Sequence, residues 1–195
     1  DSFKLLKRYP EFLKFCVCGL FYQAGIAVVI TLSAVYAQLV MKFTTAQTIT
    51  LILVVNITAA IGAFVFGYVQ DRLGHKKTLA LTILLWIIMG VMAAFSHGPV
   101  SFWIAANIAG IAMGSSQSAG RAVVAVFAPA GELAQFYSAW NVAVWGANVL
   151  GPITYGTVTW LTSGDQRTAI LVTTLFFVIG LLILRRVHLP SKTVC

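Results

Sequence analysis

Apolar residues run through this chain in six long blocks, which short polar connections separate. The hydrocarbon core of a bilayer is about 30 Å thick, and an α-helix crosses it in about 20 residues. Backbone groups inside lipid have no water to bind, and strands with alternating polarity are absent, which favours helices over an outer-membrane barrel. The pattern therefore predicts an all-α membrane protein with six transmembrane helices, at residues 15–41, 46–70, 78–96, 100–128, 133–160 and 168–184.

Composition supports the same class of protein. The chain is 59% hydrophobic and 9% charged, whereas soluble domains are about 45–50% apolar and about 25% charged. Its net charge of +8 comes from basic residues beside the apolar blocks, where membrane proteins carry them. We therefore expect an integral, multi-pass membrane protein whose surroundings are lipid, with no nucleic-acid partner.

The distribution of basic residues predicts the orientation. One side would carry Lys4, Lys7, Arg8, Lys14, Arg72, Lys76, Lys77, Arg185, Arg186 and Lys192, and the other only Lys42 and Arg167. The positive-inside rule places the richer side, and with it both termini, in the cytoplasm. The expected layout is an interfacial or linker segment at 1–14, a six-helix bundle at 15–186 and a cytoplasmic tail at 187–195.

The connection after the second block carries the most specific motif of the chain. It runs Gly67-Tyr68-Val69-Gln70-Asp71-Arg72-Leu73-Gly74-His75-Lys76-Lys77. Gly67 is expected to end a helix where a side chain would crowd a neighbour, and Gly74 to permit a tight reversal. Asp71 can face the positive end of a helix. The pattern G-x-x-x-D-R-x-G-x-K-K resembles the cytoplasmic loop of the major facilitator superfamily, which follows the second helix of a six-helix half.

Further segments narrow the resemblance. They are Tyr22-Gln23-Ala24-Gly25, the run from Gly110 to Arg121, and Leu150-Gly151-Pro152. Together they are similar to the vacuolar-effluxer-like branch of the superfamily, whose described members export amino acids. The resemblance implies that this chain is the C-terminal six-helix half of a secondary transporter, that an N-terminal half is its partner, and that no cofactor takes part. It also implies that the first, second, fourth and fifth helices line a cavity for a small-molecule solute.

Arg121 is the one charged residue well inside an apolar block, where an arginine costs at least about 2.5–3.5 kcal/mol. It either snorkels to the membrane surface or pairs with Asp71 or Glu132 as a gate. We accordingly predict gating roles for Gly67, Asp71, Arg72, Gly74, Arg121 and Glu132.

Uncharged amides supply the candidate substrate contacts. Asn141, Trp145, Asn148 and Pro152 form one stripe on the fifth predicted helix, opposite a stripe of small residues at Ala139, Ala143, Ala147 and Gly151. The small stripe suits helix packing, and the polar stripe suits a water-filled pathway or contacts between helices. The full set of candidate solute ligands is Gln23, Asn56, Asn107, Gln117, Asn141, Trp145 and Asn148.

All five carboxylates lie at the ends of blocks or between them, so this half offers no proton relay and no catalytic group within the membrane. We expect a transporter and not an enzyme, moving a small polar solute by alternating access. Two alternatives stay open at this point: a stand-alone six-helix carrier that dimerises, and a membrane protein with an interaction or structural role.

Overall fold

The computed structural model describes residues 7–190, which form six α-helices joined by short connections. They are α1 (Pro10–Leu39), α2 (Thr45–Leu73), α3 (His75–Ala94), α4 (Pro99–Phe127), α5 (Leu133–Leu161) and α6 (Gln166–Arg186). The six predicted helices are confirmed, with ends that differ by a few residues. The largest difference is at α1, which begins at Pro10, so residues 10–14 belong to the bundle. Residues 1–6 and 191–195, within the predicted linker and tail, lie outside the described part.

Four of the helices in the described part, α1, α2, α3 and α6, are long and apolar enough to cross a membrane by length and composition. Helices α4 and α5 are as long as α2, at 29 residues each, but their polar side chains are spread along the helix, whereas those of α2 lie mostly near its two ends. Twenty-nine residues of α-helix span about 44 Å, which exceeds the about 30 Å of bilayer hydrocarbon. Both helices therefore have room for polar residues at their ends, beyond the hydrocarbon.

Local sequence signals set several helix ends. At the start of α2 the Thr44 side chain accepts the N–H of Gln47 at 3.2 Å, and the Gln47 side chain accepts the N–H of Thr44 at 2.9 Å, which forms a capping box. Gly74 alone separates α2 from α3, with φ at +81°. Glycine adopts this conformation without strain, so the predicted tight reversal is confirmed.

Asp165 begins α6 by accepting the N–H of Arg167 at 2.9 Å. The Thr168 hydroxyl also donates to this carboxylate. The hydrogen bond from Thr168, and after it the one from Arg167, holds the pKa of Asp165 below its usual value. The start of α6 is thereby fixed, and the Arg167 side chain joins it to the end of α3, a contact that matters below.

The first three helices and the last three form two sets, and each set packs mainly on the other. Helix α1 packs mainly on α5 and α6, and α4 packs mainly on α2 and α3, while α3 and α6 pack on each other. Exchanging the first three helices with the last three leaves this pattern unchanged. Because α1 starts at the end of the bundle opposite to the start of α4, the two sets are inverted relative to each other. This arrangement is the inverted repeat found inside transporter halves.

Small residues allow close approach of helix backbones on two sides of the bundle. On the α2–α4 side, Gly114 lies against the backbone carbonyl of Ala59, and Gly110 lies against the Val55 carbonyl and Thr58. On the α1–α5 side, Gly151 lies against the carbonyl of Ala24. The small-residue stripe predicted on α5 is thus confirmed as a packing surface, and α4 has an equivalent seam at Gly110 and Gly114.

The expectation for Gly67 is wrong within this chain. Helix α2 continues past it to Leu73, and a Cβ built at Gly67 meets nothing within 4 Å. The reason is that α2 exposes most of its surface: within the most apolar 18 residues of α2, only 17% are buried. Gly67 lies on a face that the described residues do not cover.

Candidate functional site

Two glutamines join α1 to α4 near the middle of the bundle. Gln117 donates its side-chain N–H to the Gln23 side-chain oxygen at 3.3 Å. Gln23 is 5% exposed and Gln117 is half-buried. An amide without a partner is costly away from water, so this bridge explains how two amides are accommodated at this depth. It also leaves the second N–H of Gln117 and its carbonyl oxygen free of side-chain partners among the described residues.

Helix α5 has the two predicted faces. Ala147 and Gly151 are buried against α1, whereas Asn141, Trp145 and Asn148 are exposed, Trp145 by 70%. No hydrogen bond in the described part of the chain involves the side chain of Asn141 or Asn148. The amides of α5 therefore do not serve as glue between helices of this half, and they remain available to water, solute or another part of the protein.

The other two candidate amides are bound within their own helices. The Asn56 side chain donates to the Ile52 carbonyl at 2.8 Å, and the Asn107 side chain donates to the Trp103 carbonyl at 2.8 Å. Asn56 is exposed on α2, and α2 packs on α4, whereas α5 packs on α1. The structure therefore places Asn56 and the α5 stripe on different flanks of the bundle, with the glutamine bridge between them.

A cavity of about 430 Å³ lies between α1, α2, α3 and α4 in the half of the bundle remote from Gly74. Its wall is mostly apolar, and Asn56 is the one candidate amide that lines it. Tyr36 and Tyr155 also face it, but their hydroxyls are engaged, with the Ala93 carbonyl at 2.8 Å and with Gln166 at 2.6 Å. The sequence does not predict this cavity, and its one signal is the presence of Tyr36 and Tyr155 within predicted spans.

The predicted ion pairs of Arg121 are not formed. Among residues 7–190, no ion pair joins Arg121 to Asp71 or Glu132. Glu132 lies instead 4.0 Å from Arg8, at the start of the described chain, and one of its carboxylate oxygens is buried without a partner. Arg121 is exposed, and its carbonyl accepts the Tyr137 hydroxyl at 3.0 Å. Its gating role stays a prediction, without the partners first expected.

The loop motif divides into two parts. Gly74 makes the reversal, and Lys76 binds backbone carbonyls at the end of α6, at 2.6 and 3.1 Å. Asp71 and Arg72 are exposed on the last turn of α2 and take part in none of the ion pairs of the described chain. Together with Gly67 they lie on the part of α2 that the described residues leave uncovered. Their gating roles remain predictions.

No group of three or more His, Cys, Asp or Glu side chains in the described chain is arranged to hold a metal ion. The arrangement instead offers uncharged amides, aromatic rings and an apolar cavity. The amides can bind a polar solute by hydrogen bonds, and the rings and the cavity can contact its apolar part.

Comparison with known proteins assigns the family. The sequence matches the family described as "Vacuole effluxer Atg22 like" over residues 1–194. The chain belongs to this Atg22-like family. It is also 26% identical over 193 residues to YxiO of Bacillus subtilis (strain 168), an uncharacterised MFS-type transporter, a match that covers 99% of this chain and 44% of YxiO.

Solved structures agree on the fold. The fucose:proton symporter FucP of E. coli matches with a TM-score of 0.81 and 18% identity, over 97% of this chain and 45% of FucP. The inward-open xylose transporter XylE of E. coli matches with a TM-score of 0.74 and 19% identity, over 97% of this chain and 49% of XylE. The Atg22-like chain thus has the fold of part of a major facilitator transporter, is an integral multi-pass membrane protein, and spans about half the length of these relatives.

Proposed function

We propose that this chain is the C-terminal six-helix half of a secondary transporter that moves a small polar solute by alternating access. Amino-acid export is the activity we favour, because the family is described by efflux and the motifs resemble amino-acid exporters. The partner half would cover the exposed faces of α2 and α5. Matches that span 44% and 45% of YxiO and FucP support a half-transporter over a stand-alone carrier.

The observation that carries the proposal is the exposed amide stripe of α5 beside the glutamine bridge. Lipid gives an exposed asparagine no partner, and polar groups at this depth face a cavity or another protein segment. Asn141 and Asn148 have no such partner among the described residues, while the opposite face of their helix is packed on α1. A pathway between the two halves would give them water and solute. An uncharged set of ligands suits a neutral or zwitterionic solute.

Transport by the complete protein in proteoliposomes tests the proposal. A panel of radiolabelled amino acids, with fucose and xylose as alternative solutes, should reveal uptake or release of at least one amino acid. Replacing Asn141, Asn148 or Gln117 by alanine should each raise KM by about fivefold, since a lost hydrogen bond is worth about 1 kcal/mol. Thr157→Ala is the matched control, because its hydroxyl binds the Ile153 carbonyl of its own helix.

Three results would count against the proposal in different ways. Transport of sugars alone would overturn the amino-acid substrate. Unchanged KM in all three amide variants would remove the α5 stripe and the bridge from the site. Absence of transport of any solute by correctly inserted protein would favour the interaction or structural role.

The exposed motif residues make a separate prediction. Asp71→Asn should slow transport of the complete protein several-fold while leaving the thermal unfolding of the protein unchanged, because Asp71 makes no ion pair within the described chain. Arg72 would be expected to contact the partner half from the same turn. Turnover and cysteine accessibility at the two membrane faces are the measurements. If Asp71→Asn left both unchanged, Asp71 would have no gating role.

A further inference from the structure

Lys76 caps the end of a helix that is distant in sequence. Its ammonium group donates to the carbonyls of Val187 at 2.6 Å and Arg185 at 3.1 Å, at the C-terminal end of α6. The last carbonyls of an α-helix have no partner within the helix and carry partial negative charge. A lysine placed there supplies both a hydrogen-bond donor and a positive charge. Lys76 is thus more than a topology signal in the loop motif.

Arg167 makes the same contact at the opposite end of the bundle. Its guanidinium group donates to the carbonyls of Ser96 at 2.6 Å and Ala94 at 3.2 Å, where α3 ends. The Asp165 carboxylate holds the backbone of Arg167 in place. The contact also explains why a basic residue stands on the side of the membrane that is otherwise poor in them.

The two contacts are equivalent under the inverted repeat. Lys76 is the second residue of α3 and reaches the end of α6, whereas Arg167 is the second residue of α6 and reaches the end of α3. Between them, the ring of Trp86 on α3 stacks on that of Phe177 on α6, with centroids 5.3 Å apart and planes 4° apart. The antiparallel pair is therefore joined at its middle and at both ends.

We propose that Lys76 and Arg167 are positioning residues that clamp α3 and α6 to each other, one at each end, so that the two helices form one rigid unit. Helix α2 is joined to the start of α3 by Gly74 and packs mainly on α4. The contact of Lys76 thereby fixes the start of α3, to which the part of the loop motif before Gly74 is connected. The inference concerns the mechanics of the fold and does not depend on which solute is moved.

Distances between paired spin labels in the complete, cysteine-free protein test the proposal. One pair, Leu81→Cys and Leu182→Cys, reports on the end of the α3–α6 unit near Lys76. The other pair, Val91→Cys and Leu175→Cys, reports on the part nearer to Arg167. All four positions are exposed leucine or valine side chains, so labels at these sites do not disturb the core.

Each clamp variant should act at its own end. Lys76→Met should broaden the first distance distribution and raise its separated population about fivefold, while the second distribution stays as in the parent protein. Arg167→Met should do the reverse. Lys77→Met and Lys42→Met are the matched controls, because each removes an exposed charge at the corresponding end, and neither lysine has a hydrogen-bond partner among the described residues.

Related side chains at position 76 distinguish a positioning role of Lys76 from a general effect on stability. Lys76→Arg keeps a charged donor and should restore the narrow distribution, and Lys76→Gln, the variant to use if Lys76→Met does not insert, should give intermediate broadening. The proposal is overturned if either clamp variant broadens both pairs equally, if neither variant broadens its own pair, or if Lys77→Met acts like Lys76→Met.

Discussion

Replacing Gly114 with valine is expected to prevent stable folding of this half, with a loss of at least ~3 kcal/mol in the free energy of unfolding. A Cβ at this position meets the carbonyl group of Ala59 and comes within 3.0 Å of the Ala63 nitrogen. Both are backbone atoms of α2, which cannot turn aside as a flexible side chain can. Helices in lipid associate through close packing, so separating α2 from α4 removes the contact that holds α2 in place.

The measurement is denaturant unfolding in detergent, with the yield of monodisperse protein as a second readout. Gly156→Val is the matched control, because Gly156 lies in α5 and has nothing within 4 Å of its Cβ position. That variant should change the free energy of unfolding by less than ~1 kcal/mol. Equal unfolding curves for the two variants would show that the α2–α4 seam tolerates a side chain, contrary to the geometry.

Gly67→Val adds a useful third variant. Nothing in this chain lies within 4 Å of its Cβ position, so this half should fold with valine there. If the partner half packs on this face, the same substitution should impair the complete protein. The three glycines together separate packing inside the half from packing between halves.

The helices could be predicted because their signals are local. Long apolar blocks, a glycine at Gly74 and seams of small residues depend only on neighbouring positions, and the structure confirms them. The glutamine bridge could not be predicted as a pair, since Gln23 and Gln117 are 94 residues apart. Each is recognisable as a polar residue in a span, but their contact depends on which helices are neighbours.

The ion-pair partners of the charged residues could not be predicted either. Depth in the membrane alone favoured Asp71 or Glu132 as partners of Arg121. Glu132 lies near Arg8 instead, because the start of α1 packs beside the start of α5, where the rings of Tyr9 and Phe136 are 5.1 Å apart. A pairing of this kind follows from helix order, which the sequence of one half does not specify.

The inverted repeat was invisible in the sequence for a related physical reason. Gly62 lies against the backbone of Ile111 much as Gly151 lies against Ala24, and both contacts need only a missing side chain on one helix. The surrounding residues are free to differ. Symmetry is therefore preserved in where the backbones approach and where Lys76 and Arg167 cap, without detectable similarity between the two sets of helices.

Trp86→Ala should lower the free energy of unfolding by about 3 kcal/mol, through lost contacts at the centre of the α3–α6 unit. The ring is fully buried, stacks on Phe177, and donates its N–H to the Ser116 hydroxyl at 3.2 Å. In lipid the loss comes mainly from dispersion, since a void leaves the surrounding atoms without contacts. Trp86 also lines the 430 Å³ cavity, so its removal enlarges a space that already exists.

Two companion variants make the Trp86 prediction specific. Trp86→Phe keeps an aromatic ring against Phe177 and should cost about 1 kcal/mol less than alanine, since an aromatic pair is worth about that much beyond its area. Trp145→Ala removes the same side chain from an exposed site, 70% accessible, and should leave the free energy of unfolding within ~0.5 kcal/mol of the parent. Transport should respond in the opposite order. At equal amounts of folded protein, Trp145→Ala should impair transport more than Trp86→Ala, because Trp145 lies on the proposed solute face. If both alanine variants unfolded alike, the α3–α6 contact would not be the structural centre of this half.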